Sequence, residues 1–225
     1  MKSKNKFKNI KENEIWNAEN IYHLKTNISR IGKLIYHYEI YKKIKSIPGD
    51  VIELGVFKGI SLIRFLTFRS LIENSFSRKI IGFDTFGKFP VSRNLEDQRF
   101  IKRHLPKAGD AISIEELDNI LFEKKFENYQ LIKGNILKTL PRYLNNNRDN
   151  KIALLHLDMD IYEPTKFALE KLFKKMSPNG IILIDDYSTV EGATKAVDEF
   201  LKKNKKLKLN KLKYYKQPSF IEVKK

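Results

Sequence analysis

Two pairs of aspartates offer the clearest chemistry in this sequence, because each pair follows a long apolar run. Asp158 and Asp160 follow one run, and Asp185 and Asp186 follow the next, 27 residues further along the chain. Neighbouring parallel strands would bring these carboxylates within a few ångströms of one another, where like charges require protonation or a cation. Ligands that are all oxygen favour Mg²⁺, Mn²⁺ or Ca²⁺ over zinc or copper. We therefore predict a divalent-cation site, with pairing to lysines from nearby loops as the alternative.

The segment VIELGVFKG, residues 51–59, is a candidate ligand-binding turn between a strand and a helix. It has two glycines where a dinucleotide-binding fingerprint has three, and Glu53 inside the strand would repel a pyrophosphate. A carboxylate in that place suits a cationic ligand, such as the amino group and sulfonium of S-adenosylmethionine. Gly55 would allow the tight turn, and the helix that begins near Gly59 would receive the carboxylate of the ligand. Asp84, which ends the next predicted strand, is placed to bind ribose hydroxyls.

A divalent ion beside a methyl donor has a clear use. It can bind two neighbouring oxygens of an acceptor, lower the pKa of a hydroxyl and orient that hydroxyl towards the methyl carbon. A carboxylate or a histidine then takes the proton; His104 is a candidate, although a loop histidine is more often only solvated. Asp160, Tyr162 and Lys166 are candidate contacts for the acceptor, with packing or solvation as the alternative for the tyrosine and the lysine.

Strand and helix alternate along the chain, which indicates a parallel sheet covered by helices on both faces. Apolar runs predict strands over residues 51–55, 79–84, 129–135, 151–160 and 180–187, followed by a terminal antiparallel pair over 206–215 and 219–225. Helices are predicted over residues 28–44, 60–72, from Ser113 onward, over 164–176 and over 189–203. The stretch 85–111 is predicted to be a long irregular loop that selects the acceptor.

Polar residues recur where these predicted strands end, and ligands of doubly wound sheets bind at the carboxyl ends of the strands. They are Glu53, Asp84, Asn135, Asp158, Asp160, Asp185 and Asp186. Burying carboxylates without partners costs several kcal/mol. The pattern therefore favours a ligand site at this edge over chance.

The charge of the chain, formally +17 over 225 residues, is concentrated near its two ends. Five lysines fall within the first eleven residues and ten within residues 201–225. Such clusters can bind nucleic acid, an anionic membrane or an acidic substrate, but these lack the interleaved arginine and aromatic residues of base-stacking surfaces. A lysine-rich composition is the simpler explanation, and we expect no nucleic-acid partner.

Cysteine is absent, which excludes a disulfide scaffold, a thiolate zinc site and a cysteine nucleophile. The N-terminus lacks the apolar core of a signal peptide, and no apolar run reaches about eighteen residues. We therefore expect a cytoplasmic protein without a membrane span. We also expect one domain over residues 48–225, preceded by a helical extension over residues 1–47 that belongs to the same unit. Trp16 and Tyr22 of this extension are expected in the core or in a subunit interface.

Several segments together resemble the macrocin and mycinamicin family of sugar O-methyltransferases (TylF/MycF type). They are VIELGVFKGIS, GFDTFGKFP, KGNILKTLP, LHLDMDIYEPTKFALEKLFKKMSPNGIILIDDY and GATKAVDEF, within residues 48–201. The resemblance implies a class I methyltransferase fold: a doubly wound, Rossmann-like α/β sheet of seven mostly parallel strands with a terminal antiparallel hairpin. It also implies S-adenosylmethionine as donor, a Mg²⁺-type ion and usually a homo-oligomer. The acceptor would be a sugar hydroxyl, either nucleotide-linked or part of a glycan or a glycosylated metabolite.

Carried over residue by residue, the resemblance implies roles for individual side chains. The metal ligands would be Asp158, Asp185 and Asp186, and Asp158 is also a candidate base. The donor would be bound by Glu53, Gly55, Val56, Phe57, Gly59, Ser61, Asp84, Asn135 and Asp158. The sequence departs from the family at His156, where arginine is usual, which leaves the contacts with the acceptor open.

Three other interpretations stay open at this point. A catechol-type methyltransferase also uses a carboxylate-bound ion, although DMDIYEPT together with IDDY favours the sugar family. A basic RNA-binding methyltransferase would bind RNA with a steep salt dependence and without need of magnesium. A donor-binding protein that has lost catalysis is the third, and the intact carboxylates argue against it.

Overall fold

The computed structural model describes residues 10–92 and 94–224, except for the side chains of Glu96, His104 and Leu105. The strands of this part are β1 Asp50–Leu54, β2 Ile80–Asp84, β3 Tyr129–Lys133, β4 Ile152–Leu157, β5 Met176–Ile184, β6 Leu209–Asn210 and β7 Ser219–Glu222. Its α-helices are α1 Glu12–Lys25, α2 Ile28–Lys43, α3 Ile60–Ile72, α4 Leu95–Ala108, α5 Ile114–Glu123, α6 Ile136–Asn146, α7 Tyr162–Leu172 and α8 Glu191–Lys203.

The strands form a seven-stranded sheet with the order β3-β2-β1-β4-β5-β7-β6. Strands β1 to β5 are parallel, whereas β7 is antiparallel to β5 and β6 is antiparallel to β7. This confirms the predicted doubly wound sheet with a terminal antiparallel hairpin. The strand order reverses between β1 and β4, and ligands of open α/β sheets bind at the carboxyl ends of the strands beside such a point.

Alternate residues of a strand face opposite sides of the sheet, and each side has its own apolar core. Val51 packs on the side covered by α2, α3 and α5, while Ile52 and Leu54 pack on the side covered by α6, α7 and α8. This alternation directs Glu53 towards α2 and α3. His156 is the partner of Glu53 in the register between β1 and β4, so two polar side chains meet inside the α2 and α3 layer.

Helix α2 is fixed against the sheet by the apolar stripe that predicted it. Tyr36, Ile40 and Tyr41 are fully buried, and the side chain of Asn27 caps the helix by accepting a hydrogen bond from the backbone N–H of Ser29 at 2.9 Å. The cap and the buried stripe together determine which face of α2 meets the sheet. The helix consequently carries its polar residues to the carboxyl ends of β4 and β5.

Two helices were not predicted. The stretch 85–111, expected to be an irregular loop, contains α4, and that expectation is wrong because Pro106 and many charged residues obscured the helical pattern. Helix α6 was missed because Pro141 lies inside it, although Leu140 and Tyr143 give it a buried face. In the chain, α4 follows the carboxyl end of β2, and α6 follows the carboxyl end of β3.

Several predicted boundaries are also wrong: β3 ends at Lys133 and not at residue 135, β5 ends at Ile184 and not at residue 187, and β6 has only two residues of the predicted range 206–215. Strand β4 ends at Leu157 and not at residue 160, so Asp158 and Asp160 lie in the turn that follows the strand. Helix α7 ends at Leu172, and β5 begins at Met176, where the helix was expected to end. A turn of 3₁₀ helix separates them, and β5 pairs with β4 at Met176 and again over residues 181–184, with a register shift between the two.

Helix α1 lies outside the core, because none of its fourteen residues is buried. Trp16 is 63% exposed, so the expectation of a core position is wrong for this residue. The alternative of a subunit interface stays a prediction, as does the boundary between residues 47 and 48. Within the described residues, the helices are too short or too polar to cross a membrane.

Candidate active site

The turn after β1 depends on a close approach of two backbones. Gly55 has a φ of 92°, and a Cβ atom there would lie 1.9 Å from the carbonyl oxygen of Asp158. The backbone N–H of Asp158 donates to the carbonyl of Leu54 at 2.9 Å. Glycine alone fits this combination of φ and space. The turn therefore lies directly against the first of the four aspartates.

Asp84 stabilises the same turn from the end of β2. Its Oδ2 accepts hydrogen bonds from the backbone N–H groups of Val56 and Phe57, each at 2.9 Å. Its Oδ1 accepts a third from Phe86 at 2.7 Å. Binding of ribose by Asp84 stays a prediction; the observed bonds show that its carboxylate fixes the turn predicted to hold the donor.

The other residues predicted to bind the donor surround this turn. Gly59 precedes α3 with a φ of 81°, Ser61 is buried in the first turn of that helix, and Phe57 is 40% exposed. Asn135 accepts a hydrogen bond from the backbone N–H of Leu137 at 2.9 Å and so caps α6 just after β3. The fold gathers these residues at one edge of the sheet, while their contact with a donor stays a prediction.

Three of the four aspartates converge in the turns after β4 and β5. Carboxylate oxygens of Asp158, Asp160 and Asp186 lie within 4.8 Å of one another. Asp160 has a left-handed backbone conformation with a φ of 64°, which turns the chain towards α7. Burial, and then the neighbouring carboxylates, raise the pKa of Asp158 to about 7 and the pKa of Asp160 to about 8. The cluster thus disfavours full ionisation unless a cation compensates its charge.

Asp185 has a different set of neighbours. The Lys33 ammonium, carried by α2, donates to Asp185 Oδ2 at 2.6 Å and lies 3.9 Å from Asp158 Oδ2. On the inner side, the Nε2 atoms of His37 and His156 lie 4.0 and 3.9 Å from Asp185 Oδ1. Burial would raise the pKa of Asp185, but the two histidines and Lys33 hold it well below its usual value. Asp185 therefore stays ionised.

The two buried histidines have different charged neighbours. His156 Nδ1 lies 3.0 Å from Glu53 Oε1, and both side chains are fully buried. Burial lowers the pKa of His156, but the Asp185 and Glu53 carboxylates outweigh burial and raise this pKa to about 9. Burial dominates at His37 and lowers its pKa to about 3. We accordingly assign His156 as an imidazolium that donates Nδ1–H to Glu53, and His37 as a neutral imidazole.

The aspartates have the chemistry of a divalent-cation site. Among the described residues, Asp186 Oδ2 is buried and has no hydrogen-bond partner. Buried polar atoms without partners are rare and costly. Asp158, Asp185 and Asp186 offer the oxygen ligands that Mg²⁺ and Mn²⁺ prefer. The residues present therefore fit such an ion.

Tyr162 and Lys166, predicted to contact the acceptor, are bonded to α8. The Tyr162 hydroxyl donates to Glu199 Oε2 at 2.8 Å, and the Lys166 ammonium donates to the same oxygen at 2.8 Å and to the hydroxyl at 2.7 Å. These bonds hold the start of α7 against α8. An open groove of about 570 Å³ runs along α8 beside Lys195 and Glu199, and its lining does not include the four aspartates of the strand ends. Contact of Tyr162 and Lys166 with an acceptor stays a prediction.

Three side chains of this region were missed in the sequence. Lys33 and His37 lie four residues apart on α2, a spacing that places them on one helix face but says nothing of the sheet edge that they meet. Asp97 of α4 is buried, and both of its carboxylate oxygens accept the backbone N–H of Tyr162 at 3.1 Å. No sequence pattern pointed to Asp97, because the segment that forms α4 was expected to be a loop. His104 also belongs to α4, but its side chain lies outside the described residues.

A family model described as Macrocin-O-methyltransferase (TylF) matches residues 29–213. The chain belongs to the macrocin O-methyltransferase family. This confirms the resemblance inferred from the strand-end motifs, and it makes the chain an O-methyltransferase by family. The matched range begins in α2, so Lys33 and His37 lie within it.

One relative of this chain is 8-demethyl-8-(2,3-dimethoxy-alpha-L-rhamnosyl)-tetracenomycin-C 4'-O-methyltransferase of Streptomyces olivaceus. It is 26% identical over 186 residues, which are 80% of this chain and 68% of the relative. Two further relatives, both O-methyltransferases by name, are matched over 59% and 61% of their own length. The chain thus spans about three-fifths to two-thirds of the length of these relatives.

Solved structures show the same fold. The apo structure of CalS11, named as a TDP-rhamnose 3'-O-methyltransferase, has a TM-score of 0.68 and 25% identity, and the match covers 95% of this chain and 87% of that one. An O-methyltransferase of Bacillus cereus in complex with SAH has a TM-score of 0.52 at 11% identity, over 95% and 90% of the two chains. This macrocin O-methyltransferase family member therefore has the fold of the S-adenosylmethionine-dependent methyltransferases.

Proposed function

We propose that this protein transfers a methyl group from S-adenosylmethionine to a sugar hydroxyl, with the help of a divalent ion. The observation that carries the proposal is the convergence of the Gly55 turn with four carboxylates beyond β4 and β5. A relative named for a rhamnosyl substrate and a similar structure named for TDP-rhamnose support a sugar as acceptor. We infer a sugar linked to a nucleotide or to a small glycosylated molecule.

The donor would lie against the turn after β1. Its carboxylate would face the N-terminus of α3, where free backbone N–H groups favour negative charge. Its amino group would face Glu53, whose Oε2 has no hydrogen-bond partner among the described residues. Asp84 keeps this turn in place through its bonds to Val56 and Phe57.

The ion would be held by Asp158, Asp185 and Asp186, and when bound it lowers the pKa of the acceptor hydroxyl and orients it. A carboxylate that binds an ion loses basicity, so we assign proton acceptance to Asp160 in place of Asp158. The Asp160 carboxyl lies within the same cluster and is left outside the proposed metal ligands, so it is placed beside an acceptor that the ion would hold. Lys33, His37 and His156 hold Asp185 in its ionised form.

Two measurements on the purified protein test this function. Calorimetric titration should show binding of S-adenosylmethionine, and a labelled methyl group should pass to at least one member of a panel of nucleotide sugars that includes TDP-rhamnose. The Asp160→Asn variant should keep donor binding but lose transfer by about a hundredfold or more, because the proton acceptor is removed. The exposed Asp149 precedes β4, whereas Asp158 follows it, so Asp149 lies at the opposite edge of the sheet and provides the matched control Asp149→Asn, which should retain full transfer.

Absence of donor binding would refute the whole proposal. Donor binding with transfer to RNA, and none to any sugar, would refute the class of acceptor. Full transfer by Asp160→Asn would refute only the assignment of the proton acceptor.

A further inference from the structure

The Lys33 ammonium lies beside two of the three carboxylates proposed to hold the ion. It is 2.6 Å from Asp185 Oδ2 and 3.9 Å from Asp158 Oδ2. We propose that Lys33 is an internal counter-ion that competes with the divalent ion, so that the ion binds by exchange with this ammonium. The inference rests on the metal site of the proposed function.

The oxygen that Lys33 occupies is the one through which an outside ion would reach Asp185. The other oxygen, Oδ1, faces inward to the Nε2 atoms of His37 and His156, and both histidines are fully buried. Because the inner side is closed by these rings, an ion that joins Asp185 to Asp158 must take the place of the ammonium at Oδ2. The two cations exclude one another, since like charges at such a separation repel strongly where water is scarce.

Exchange requires motion of the side chain but not of the helix. One turn after Lys33, the ring of His37 stacks on Phe65 with the ring centroids 5.4 Å apart, and Tyr36 is fully buried. These contacts fix the backbone of α2. The Lys33 side chain itself is 28% exposed, so its flexible stem has a path by which the ammonium can turn into solvent.

A single ammonium does not replace the ion. It makes direct contact with Asp185, whereas the oxygens of three further carboxylates, those of Asp158, Asp160 and Asp186, converge within 4.8 Å of one another. An ammonium has one charge and three donors, while a divalent ion has two charges and accepts six or more oxygen ligands. Lys33 thus stabilises the site before the ion binds and has to leave Asp185 when the ion arrives.

Titration of Mn²⁺, followed by electron paramagnetic resonance of the free ion, measures the competition. In the Lys33→Met and Lys33→Gln variants the competitor is gone, so we expect Mn²⁺ to bind about tenfold more tightly or better, since bonds to charged groups contribute about 1.4 kcal/mol or more. Arg64→Met is the control for charge alone, because among the described residues Arg64 acts on Asp185 through its charge and not through a hydrogen bond or an ion pair. Lys43→Met is the control for α2, because Lys43 pairs with Glu222, 3.4 Å away.

The controls should change the Mn²⁺ affinity by no more than about threefold, as expected for charges that act at a distance and are partly screened. Mn²⁺ affinity that is unchanged or weaker in both Lys33 variants would refute the exchange. An equal gain in Mn²⁺ affinity in Arg64→Met would also refute the exchange. The effect would then come from the change in net charge and not from removal of the ammonium at Asp185 Oδ2.

Chemical labelling of the unaltered protein gives a second readout that does not depend on any variant. Acetylation of each lysine is followed by mass spectrometry with and without Mn²⁺. Release from Asp185 should make Lys33 react several times faster when Mn²⁺ is present. Lys42, which is exposed and pairs with Glu39 on the same helix, is the internal reference and should not change. A Lys33 that reacts equally fast, or more slowly, with Mn²⁺ would refute the exchange.

The outcomes separate this inference from the function on which it rests. Mn²⁺ that binds the unaltered protein and both Lys33 variants equally would refute the exchange and leave the metal site intact. Mn²⁺ that binds none of them would refute both. Tighter binding in the Lys33 variants, with faster labelling of Lys33 in the unaltered protein, would support both.

Discussion

At the scale of single residues, two glycines both have a positive φ but differ in their surroundings. Comparing them separates the free-energy cost of a left-handed backbone from that of a steric clash. Gly55 has a φ of 92° and meets the carbonyl of Asp158, whereas Gly109 has a φ of 69° with nothing within 4 Å of a Cβ atom. Gly109→Ala should therefore lose only about 1 kcal/mol of unfolding free energy, the cost of a left-handed conformation. Gly55→Ala should lose about 3 kcal/mol or more, because the added methyl group forces β1 and the Asp158 turn apart. Urea denaturation of both variants measures the difference.

Binding of S-adenosylmethionine adds a functional readout for the same pair. We expect Gly109→Ala to bind the donor as the unaltered protein does and Gly55→Ala to lose binding, since its turn is displaced. Equal losses of stability in the two variants would show that the approach of Gly55 to Asp158 is not as tight as described.

The residues also show where reading the sequence succeeds. Asp158, Asp185 and Asp186 follow apolar runs directly, so their place at one edge of the sheet follows from strand direction alone. Lys33 is 152 residues from Asp185 and meets it only through tertiary packing. The stripe on α2 shows which face is buried, but no local pattern shows which strand ends that face meets.

At the scale of elements, Asp97 joins α4 to the start of α7. Its Oδ2 accepts from the Ser92 hydroxyl at 2.9 Å, and both oxygens accept the backbone N–H of Tyr162. Gly192, at the start of α8, passes so close that a Cβ atom there would lie 2.1 Å from Asp97 Oδ1. Helix α4 is thereby tied to the two helices that follow the aspartates.

Removal of this carboxylate should loosen α4. Asp97→Ala leaves the Tyr162 N–H without its buried partner, at a cost of about 1 to 3 kcal/mol, so hydrogen exchange over Leu95–Ala108 should become faster. Asp97→Asn keeps one acceptor oxygen, so its rate of hydrogen exchange over α4 should lie between those of the unaltered protein and Asp97→Ala. Hydrogen exchange followed by mass spectrometry measures this order, and unchanged protection of α4 in Asp97→Ala would contradict it.

The elements were predicted unevenly, and the reason is physical. Strands β2 and β4 and residues 181–184 of β5 are buried on both faces and appear in the sequence as nearly continuous apolar runs. Helices α4 and α6 bury one face only and contain prolines, Pro106 and Pro141, which ordinarily break a helix. Tertiary contacts such as those of Asp97 compensate for that local cost, and they are not visible in a short window of sequence.

At the scale of the whole molecule, stability should depend on pH through the buried His156. Burial lowers its pKa, but the Asp185 and Glu53 carboxylates raise it to about 9, above the value of about 6.5 in an unfolded chain. The folded state then binds the proton more tightly, so this stabilisation is complete below pH 6.5 and is lost as the pH rises to 9. In EDTA we expect His156 to contribute a fall of roughly 1 to 3 kcal/mol in the unfolding free energy across this range, and the raised pKa values of Asp158 and Asp160, about 7 and about 8, add to it.

Two histidine variants isolate that dependence. Urea denaturation at pH 6.5 and at pH 9 should show a smaller fall in the unfolding free energy of His156→Gln than of the unaltered protein, because the titrating group is absent. His23→Gln is the matched control, since His23 is exposed on α1, and it should retain the fall seen in the unaltered protein. Equal falls in both variants would show that His156 does not carry the proton assigned to it.

The fold, the family and the four carboxylates together support one claim: this sheet edge is a metal-assisted methyl-transfer site. Transfer of a labelled methyl group from S-adenosylmethionine to a sugar hydroxyl, measured with Mg²⁺ and again with EDTA, tests it most directly. We expect transfer with Mg²⁺, loss in EDTA, recovery when Mg²⁺ is restored, and loss in Asp186→Asn with Asp149→Asn unaffected. Transfer that continues unchanged in EDTA and in Asp186→Asn would contradict the claim.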